Sequence, residues 1–174
     1  MPLSRAVFLD RDGVLTRERP DYVKIPKELE ILPGIEAPLR EIKKRGFQIV
    51  IITNQSVIGR GLTTHYEISR IHEKLRVDLA LLGCRIDAIY YCPHRPDEGC
   101  NCRKPEPGLI LKASRELGID TAKSWMIGDK EIDLEAARRA GCRGIRVPTN
   151  GNGLKEAVRS IALVEDGSNQ VEYS

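Results

Sequence analysis

The chain has 174 residues, 41% hydrophobic and 30% charged, a composition that fits one globular domain spanning 1–174 and excludes a disordered or fibrous chain. Its net charge of +3 comes from 28 basic and 25 acidic residues with no run of five like charges, which gives a nucleic-acid partner no footing. The longest apolar stretch, Phe47 to Thr53, is too short to cross a bilayer, and the N-terminus lacks the pattern of a signal peptide, so a cytoplasmic protein without a membrane partner is expected.

Short apolar runs alternate with segments of helical period. Ala6 to Leu9 is a compact apolar run, expected to be a buried parallel strand. Pro33-Gly34 then opens a helix with Ile35, Leu39 and Ile42 on one face, stopped by Gly46. Gln48 to Ile52 is the second strand. Thr63 or Thr64 caps a long helix whose stripe is Ile68, Ile71, Leu75, Leu79 and Leu82, ended by Gly83. Ala88 to Tyr91 is the third strand. Pro107 begins a helix with Leu109, Ile110, Ala113 and Leu117 inward and Gly118 as its stop. Trp125 to Ile127 forms a fourth strand, Ile132 to Ala140 a helix, and Gly144 to Val147 a fifth strand. A last helix and a short strand, Ile161 to Val164, close the pattern before a polar tail, 166–174, expected to be loose.

This alternation predicts an α/β fold: a doubly wound, mostly parallel sheet with helices on both faces. A helix and a strand fill most of the interval between Asp12 and Asn54, which leaves no room for a large cap domain. In such sheets ligands bind beyond the carboxyl ends of the strands. Asp10, Thr53, Cys92 and Asp129 follow the four apolar runs, so the sequence converges on one polar end.

Asp10-Arg11-Asp12-Gly13 places two carboxyl groups two residues apart at the first of these ends. Taken alone, such a pair is an ordinary turn or helix cap. With Thr53, Asp129 and Asp133 at neighbouring ends it becomes a set of hard oxygen ligands of the kind that suits Mg²⁺. Phosphoryl transfer needs a nucleophile, an acid/base and positive charge around the transferred oxygens. Asp10 can supply the first, as carboxylates form aspartyl-phosphates, and Asp12 the second. Thr53 and Lys104 can hold the phosphoryl oxygens.

Five cysteines are present, and three of them, Cys92, Cys100 and Cys102, fall together with His94 in the segment 92–102. Three thiolates and an imidazole make a closed tetrahedral set for a structural Zn²⁺, which this Pro-containing loop needs for its order. A disulfide is the alternative. Cys84 and Cys142 sit beside glycine or apolar residues and are expected as small core hydrophobes. His65 and His72 are expected in ordinary exposed or capping roles.

Asp10-Arg11-Asp12-Gly13-Val14, Thr53-Asn54, Lys104-Pro105 and Gly128-Asp129-Lys130-x-x-Asp133, in this order, resemble the four motifs of the haloacid dehalogenase (HAD) phosphatase superfamily. The resemblance implies Asp10 as nucleophile and Asp12 as general acid/base, with Mg²⁺ on the Asp10 and Asp129 carboxylates and the main-chain carbonyl of Asp12. It implies that Asp133 orients other groups. Within the superfamily, Asp-Arg-Asp-Gly with this cysteine loop is similar to two groups, heptose-1,7-bisphosphate 7-phosphatases and histidinol-phosphate phosphatases. Thr53-Asn54-Gln55-Ser56, Gly59-Arg60-Gly61 and Cys102-Arg103-Lys104-Pro105 are similar to the first, whereas the short spacer from His94 to Cys100 is closer to the second.

This resemblance implies a hydrolase acting on a small phosphorylated sugar of carbohydrate metabolism, with heptose supply for surface polysaccharide as its setting. Asn54, Gln55, Ser56, Arg60, Arg103 and Lys130 are the implied substrate contacts, with Tyr22 a weaker one. The cations among them exceed what one transferred phosphate requires, which suits a bisphosphate. A receiver-like phospho-acceptor domain is the non-enzyme alternative, but it lacks an acid placed as Asp12 is. A monomer or small homo-oligomer is expected.

Overall fold

The computed structural model describes residues 2–167. Five strands, β1 (Arg5–Leu9), β2 (Phe47–Asn54), β3 (Ala88–Cys92), β4 (Trp125–Gly128) and β5 (Arg143–Arg146), pair in parallel in the order β3-β2-β1-β4-β5. The helices α1 (Glu36–Lys44), α2 (His65–Leu81), α3 (Gly108–Leu117), α4 (Glu131–Ala140) and α5 (Leu154–Glu165) alternate with them. The expected doubly wound sheet is the observed one.

The strands read as continuous apolar runs because both sheet faces are covered. Val7 and Leu9 of β1 join Ile49, Ile51 and Ile127 in a core closed by α1, α2 and α5. Ala6 and Phe8, pointing the other way, join Val50, Ile52 and Met126 in a second core under α3 and α4. Thr64 caps α2, its side chain accepting the main-chain N–H of Glu67.

Three expectations change. Strands β2 and β3 extend to Asn54 and Cys92, so Thr53 and Cys92 lie inside them and not beyond them. Leu82 is not part of the buried stripe of α2; it follows the helix and is 41% exposed. The strand expected at Ile161 to Val164 is the end of α5, in which Leu154, Ala157, Val158 and Ile161 are all buried and the helix packs on α1. Four apolar residues cannot by themselves distinguish strand from helix; the preceding residues at helical spacing decide it here. Of the tail expected to be loose, residues 168–174 lie outside the described residues.

From β1 the chain runs to β2 and β3 on one side and then returns to β4 on the other. That reversal opens a crevice beyond the carboxyl ends of β1 and β4. Among the described residues the only regular element between β1 and α1 is a single 3₁₀ turn, Pro26–Glu28, and no cap domain covers the crevice.

Candidate active site

Asp10 leaves β1 at the floor of the crevice, its main-chain N–H donating to the Ile127 carbonyl at 3.1 Å. Its Oδ1 accepts from the Arg11 main-chain N–H at 2.8 Å and lies 3.0 Å from Lys104 Nζ. Oδ2 has no protein hydrogen-bond donor among the described residues, which leaves one oxygen available for reaction. Burial pushes this carboxyl up to about 7, against the pull of Lys104. Lys104 is 2% exposed, and its ammonium is shared among Asp10, Asp133 Oδ1 at 2.6 Å and the Ile52 carbonyl at 2.9 Å. Burial works against its charge, but the two carboxylates outweigh it and hold Lys104 above its ordinary value.

The Asp12 carboxyl lies among a set of donors. Arg11 grips both of its oxygens, Nε to Oδ1 at 3.0 Å and Nη2 to Oδ2 at 2.9 Å. Thr16 Oγ1 donates to Oδ1 at 3.1 Å and Gln55 Nε2 to Oδ2 at 2.9 Å. Burial would raise the Asp12 carboxyl, but Arg11, followed by Gln55 and Thr16, brings it below its ordinary value.

Asp129 follows β4 and is 3% exposed. Its Oδ2 accepts from Thr149 Oγ1 at 2.7 Å, while the buried Oδ1 has no partner among the described residues. Carboxylate oxygens of Asp10, Asp129 and Asp133 all lie within 4.8 Å of one another. Asp133 is already committed, through Oδ1 to Lys104 and through Oδ2 to the main-chain N–H of Lys130 at 3.0 Å. Asp129, with its free Oδ1, and Asp10 therefore remain as the two carboxylates for a cation, the complement that Mg²⁺ takes beside its waters. The main-chain bonds of the 11–16 turn use the carbonyls of Arg11 and Thr16 and leave that of Asp12 free. An unpartnered buried carboxylate oxygen and an acid raised to about 7 both call for a cation, so the residues present fit one. Gly13 permits this approach, because at its φ of +89° a Cβ would stand 2.5 Å from Asp129 Oδ2.

A cavity of about 250 Å³ opens above these groups and is lined by Asp10, Asp12, Thr53, Asn54, Gln55, Ser56, Arg60, Arg103, Lys104 and Lys130. The structure thus brings together the residues that the motifs singled out, but not with equal freedom. Asn54 clamps the main chain of Lys104, accepting from its N–H at 3.0 Å and donating to its carbonyl at 3.2 Å. The amide of Gln55 is taken up by Asp12, Thr53 and Arg11. Ser56 is buried, whereas Arg60 and Lys130 are exposed at the rim, Arg60 over the Tyr22 ring and Lys130 paired with Glu18.

Cys92, His94, Cys100 and Cys102 form the second cluster, with all four donor atoms within 4.8 Å of one another. His94 Nδ1 lies 3.4 Å from Cys92 Sγ and 3.3 Å from Cys102 Sγ, and Cys100 Sγ lies 3.6 and 3.5 Å from the same two sulfurs. Those edges approach the ~3.8 Å of a tetrahedron built on Zn–S bonds of ~2.3 Å. Burial pushes the Cys92 thiol up, and a cation among the sulfurs reverses that. The loop is docked tightly: a Cβ at Gly108 would stand 2.1 Å from the Asn101 carbonyl oxygen. Arg103 Nη1 donates to the His94 carbonyl at 3.3 Å, which ties the cluster to the cavity wall.

Sequence reasoning missed four contributors. Arg11 has no exposed surface, and His72 is buried against it instead of exposed or capping, with Nε2 3.1 Å from Arg11 Nη1. After β5, Thr149 holds Asp129, and Asn150 exchanges bonds with the main chain of Glu18 at 2.6 and 3.2 Å. The rule that found Asp10 and Asp129, polar residues just past a strand, points to Thr149 and Asn150 as well. No local signal marks His72.

Known proteins resemble this chain over most of its length. A family model described as HAD-hydrolase-like matches residues 101–168. The D-glycero-beta-D-manno-heptose-1,7-bisphosphate 7-phosphatase of Bordetella bronchiseptica is 40% identical over 151 residues, 87% of this chain and 84% of the relative. The phosphatase of the same name from Escherichia coli K12 is 42% identical over 139 residues, 76% of this chain and 72% of the relative. The solved D,D-heptose 1,7-bisphosphate phosphatase of B. bronchiseptica, complexed with magnesium and phosphate, superposes with a TM-score of 0.79 at 39% identity and covers 90% of this chain and 87% of its own. With its fold, its motifs and this degree of identity, the chain belongs to the HAD-like hydrolases, in the family of the heptose-bisphosphate phosphatases.

Proposed function

We propose that this chain, as a single cytoplasmic catalytic domain, hydrolyses the 7-phosphate of D-glycero-D-manno-heptose 1,7-bisphosphate through an aspartyl-phosphate on Asp10. The observation that carries the reading is the one oxygen of Asp10 without a protein partner, set beneath a cavity walled by Lys104, Arg103, Arg60 and Lys130. Asp10 Oδ2 attacks phosphorus, the bond from phosphorus to the sugar oxygen breaks, and Asp12 protonates the departing alkoxide. Asp12 then takes a proton from water, whose oxygen attacks the same phosphorus and releases inorganic phosphate and free Asp10. Thr53 donates its hydroxyl to the phosphoryl oxygens, and Lys104, whose own donors stay with Asp10, Asp133 and the Ile52 carbonyl, gives them its positive charge. Arg103, Arg60 and Lys130 take the second phosphate and the sugar hydroxyls. Asp10, Asp129 and the Asp12 carbonyl would hold Mg²⁺, which when bound supplies positive charge to the phosphoryl oxygens and to Asp10.

Side-by-side kcat/KM values on the heptose bisphosphate and on histidinol phosphate test the substrate. A preference of about 100-fold or more for the bisphosphate is expected, roughly 2.7 kcal/mol of differential transition-state binding. A preference for histidinol phosphate would overturn the substrate assignment and make the short His94 to Cys100 spacer the better guide.

Zn²⁺ is the ion we assign to Cys92, His94, Cys100 and Cys102. Elemental analysis should find one zinc per chain, absent from a Cys100→Ser, Cys102→Ser double variant. Loss of that cross-link is expected to lower the melting temperature by about 10 °C. Activity is expected to fall by about 10-fold or more, since Arg103 and Lys104 continue directly from the cluster. A double variant with unchanged melting temperature and activity would refute a structural zinc.

A further inference from the structure

We propose that His72 and Arg11 are a positioning pair that sets the orientation of the Asp12 carboxyl group for proton transfer to the leaving oxygen; the inference rests on the acid/base role given to Asp12 above. Arg11 is the largest fully buried side chain with a charge, and it lies behind Asp12, away from the cavity. A buried guanidinium is tolerated only where its donors are met. Nε and Nη2 meet Asp12, Nη2 also reaches Gln55 Oε1 at 3.0 Å, and Nη1 meets His72 Nε2 at 3.1 Å.

Because a guanidinium only donates, Nε2 of His72 must be the acceptor, which makes the imidazole neutral with its proton on Nδ1. Burial, reinforced by the Arg11 charge, holds His72 down at about 3 and agrees with that assignment. A carboxylate in its place would compete with Asp12 for the cation. A neutral acceptor fixes the guanidinium and leaves its charge to Asp12. The imidazole is itself held: Tyr91 packs edge-on at 5.4 Å between ring centroids, and α2 carries His72 between the core residues Ile71 and Leu75.

Four donors occupy the Asp12 oxygens, two from Arg11, one from Thr16 and one from Gln55. For Asp12 to carry a proton to the alkoxide, one of these bonds must open. The neutral bonds from Thr16 and Gln55 are the weaker ones, so they give way while the charged fork persists. The fork then acts as the pivot on which the carboxyl group presents its proton, and His72 keeps the pivot in plane.

The experiment compares wild type, Asp12→Asn, His72→Leu, His72→Gln and Arg11→Lys by kcat/KM on two substrates. The heptose bisphosphate has an alkoxide leaving group that needs a proton; 4-nitrophenyl phosphate has one that does not. Asp12→Asn provides the signature of a lost acid, a much larger fall on the sugar than on the aryl ester. His72→Leu is expected to repeat it, with a fall of about 10-fold or more on the sugar and several-fold less on the aryl ester. His72→Gln, which keeps an acceptor for Nη1, should recover most of the loss. Equal losses on both substrates, no loss, or a His72→Gln variant no better than His72→Leu would overturn the proposal. If His72→Leu does not fold, Arg11→Lys must show the selective loss, and its failure to do so overturns the proposal equally. Absence of the signature in Asp12→Asn itself would refute the underlying acid/base role instead, and wild type active on the aryl ester alone would refute the substrate.

Discussion

Replacing Asp10 by Asn is expected to lower kcat by about 10⁴-fold or more while leaving a folded, zinc-loaded protein. The amide is isosteric with the carboxylate, and its carbonyl oxygen can still accept the Arg11 main-chain N–H that Oδ1 now accepts at 2.8 Å. The variant loses the nucleophilic oxygen but not the local geometry. It also removes a carboxylate that burial disfavours, so the melting temperature should not fall much. Initial rates on the heptose bisphosphate, with borohydride trapping of the phosphoenzyme followed by mass spectrometry, provide the check. Wild type should yield its label on the peptide containing Asp10 and the variant none. Turnover within 10-fold of wild type would mean that water attacks phosphorus directly, and Asp10 would be reduced to a ligand.

Lys104→Met is expected to be the most damaging single substitution for stability, at about 3–5 kcal/mol. All three directions of the ammonium are engaged, by Asp10, Asp133 and the Ile52 carbonyl, at 3.0, 2.6 and 2.9 Å. Removing it leaves two buried carboxylates facing each other and one carbonyl without a donor. For a chain of this length the melting temperature should drop on the order of 10 °C. Calorimetry without added magnesium measures this in its purest form. Adding Asp133→Asn should recover part of the stability, because one of the two repelling charges is gone, but none of the activity. A single variant that melts with wild type would show the cluster to be solvated and the ion pairs to be of little consequence.

Much of this arrangement is legible in the sequence. Strand β1 announces itself because burial on both faces demands an unbroken apolar run, and its end is marked by the first residue that cannot be buried alone, Asp10. The same logic locates Asp129 after β4. The cysteine loop is legible because few other reasons place three thiols and an imidazole within eleven positions. What was hidden depends on contacts between residues distant in sequence. His72 shows a helical position and nothing more; its meaning comes from Arg11, 61 residues away. Asn54 and Gln55 read as substrate contacts because they continue the motif that Thr53 opens, and only packing shows their amides turned to Lys104 and Asp12. The end of α5 reads as a strand because Ile161 to Val164 taken alone has no period.

The crevice without a cap has a consequence for how this protein divides its electrostatics. Arg60 and Lys130 stand in solvent, where a Debye length of about 8 Å at physiological ionic strength damps any attraction to a distant phosphate. Lys104, at 2% exposure, is insulated from the same ions. On the roles proposed for them, recognition is carried by charges that feel the surrounding medium, and bond-breaking by charges that do not. Added salt therefore acts on the two unequally, weakening capture of the substrate while leaving the reaction of the captured molecule nearly intact.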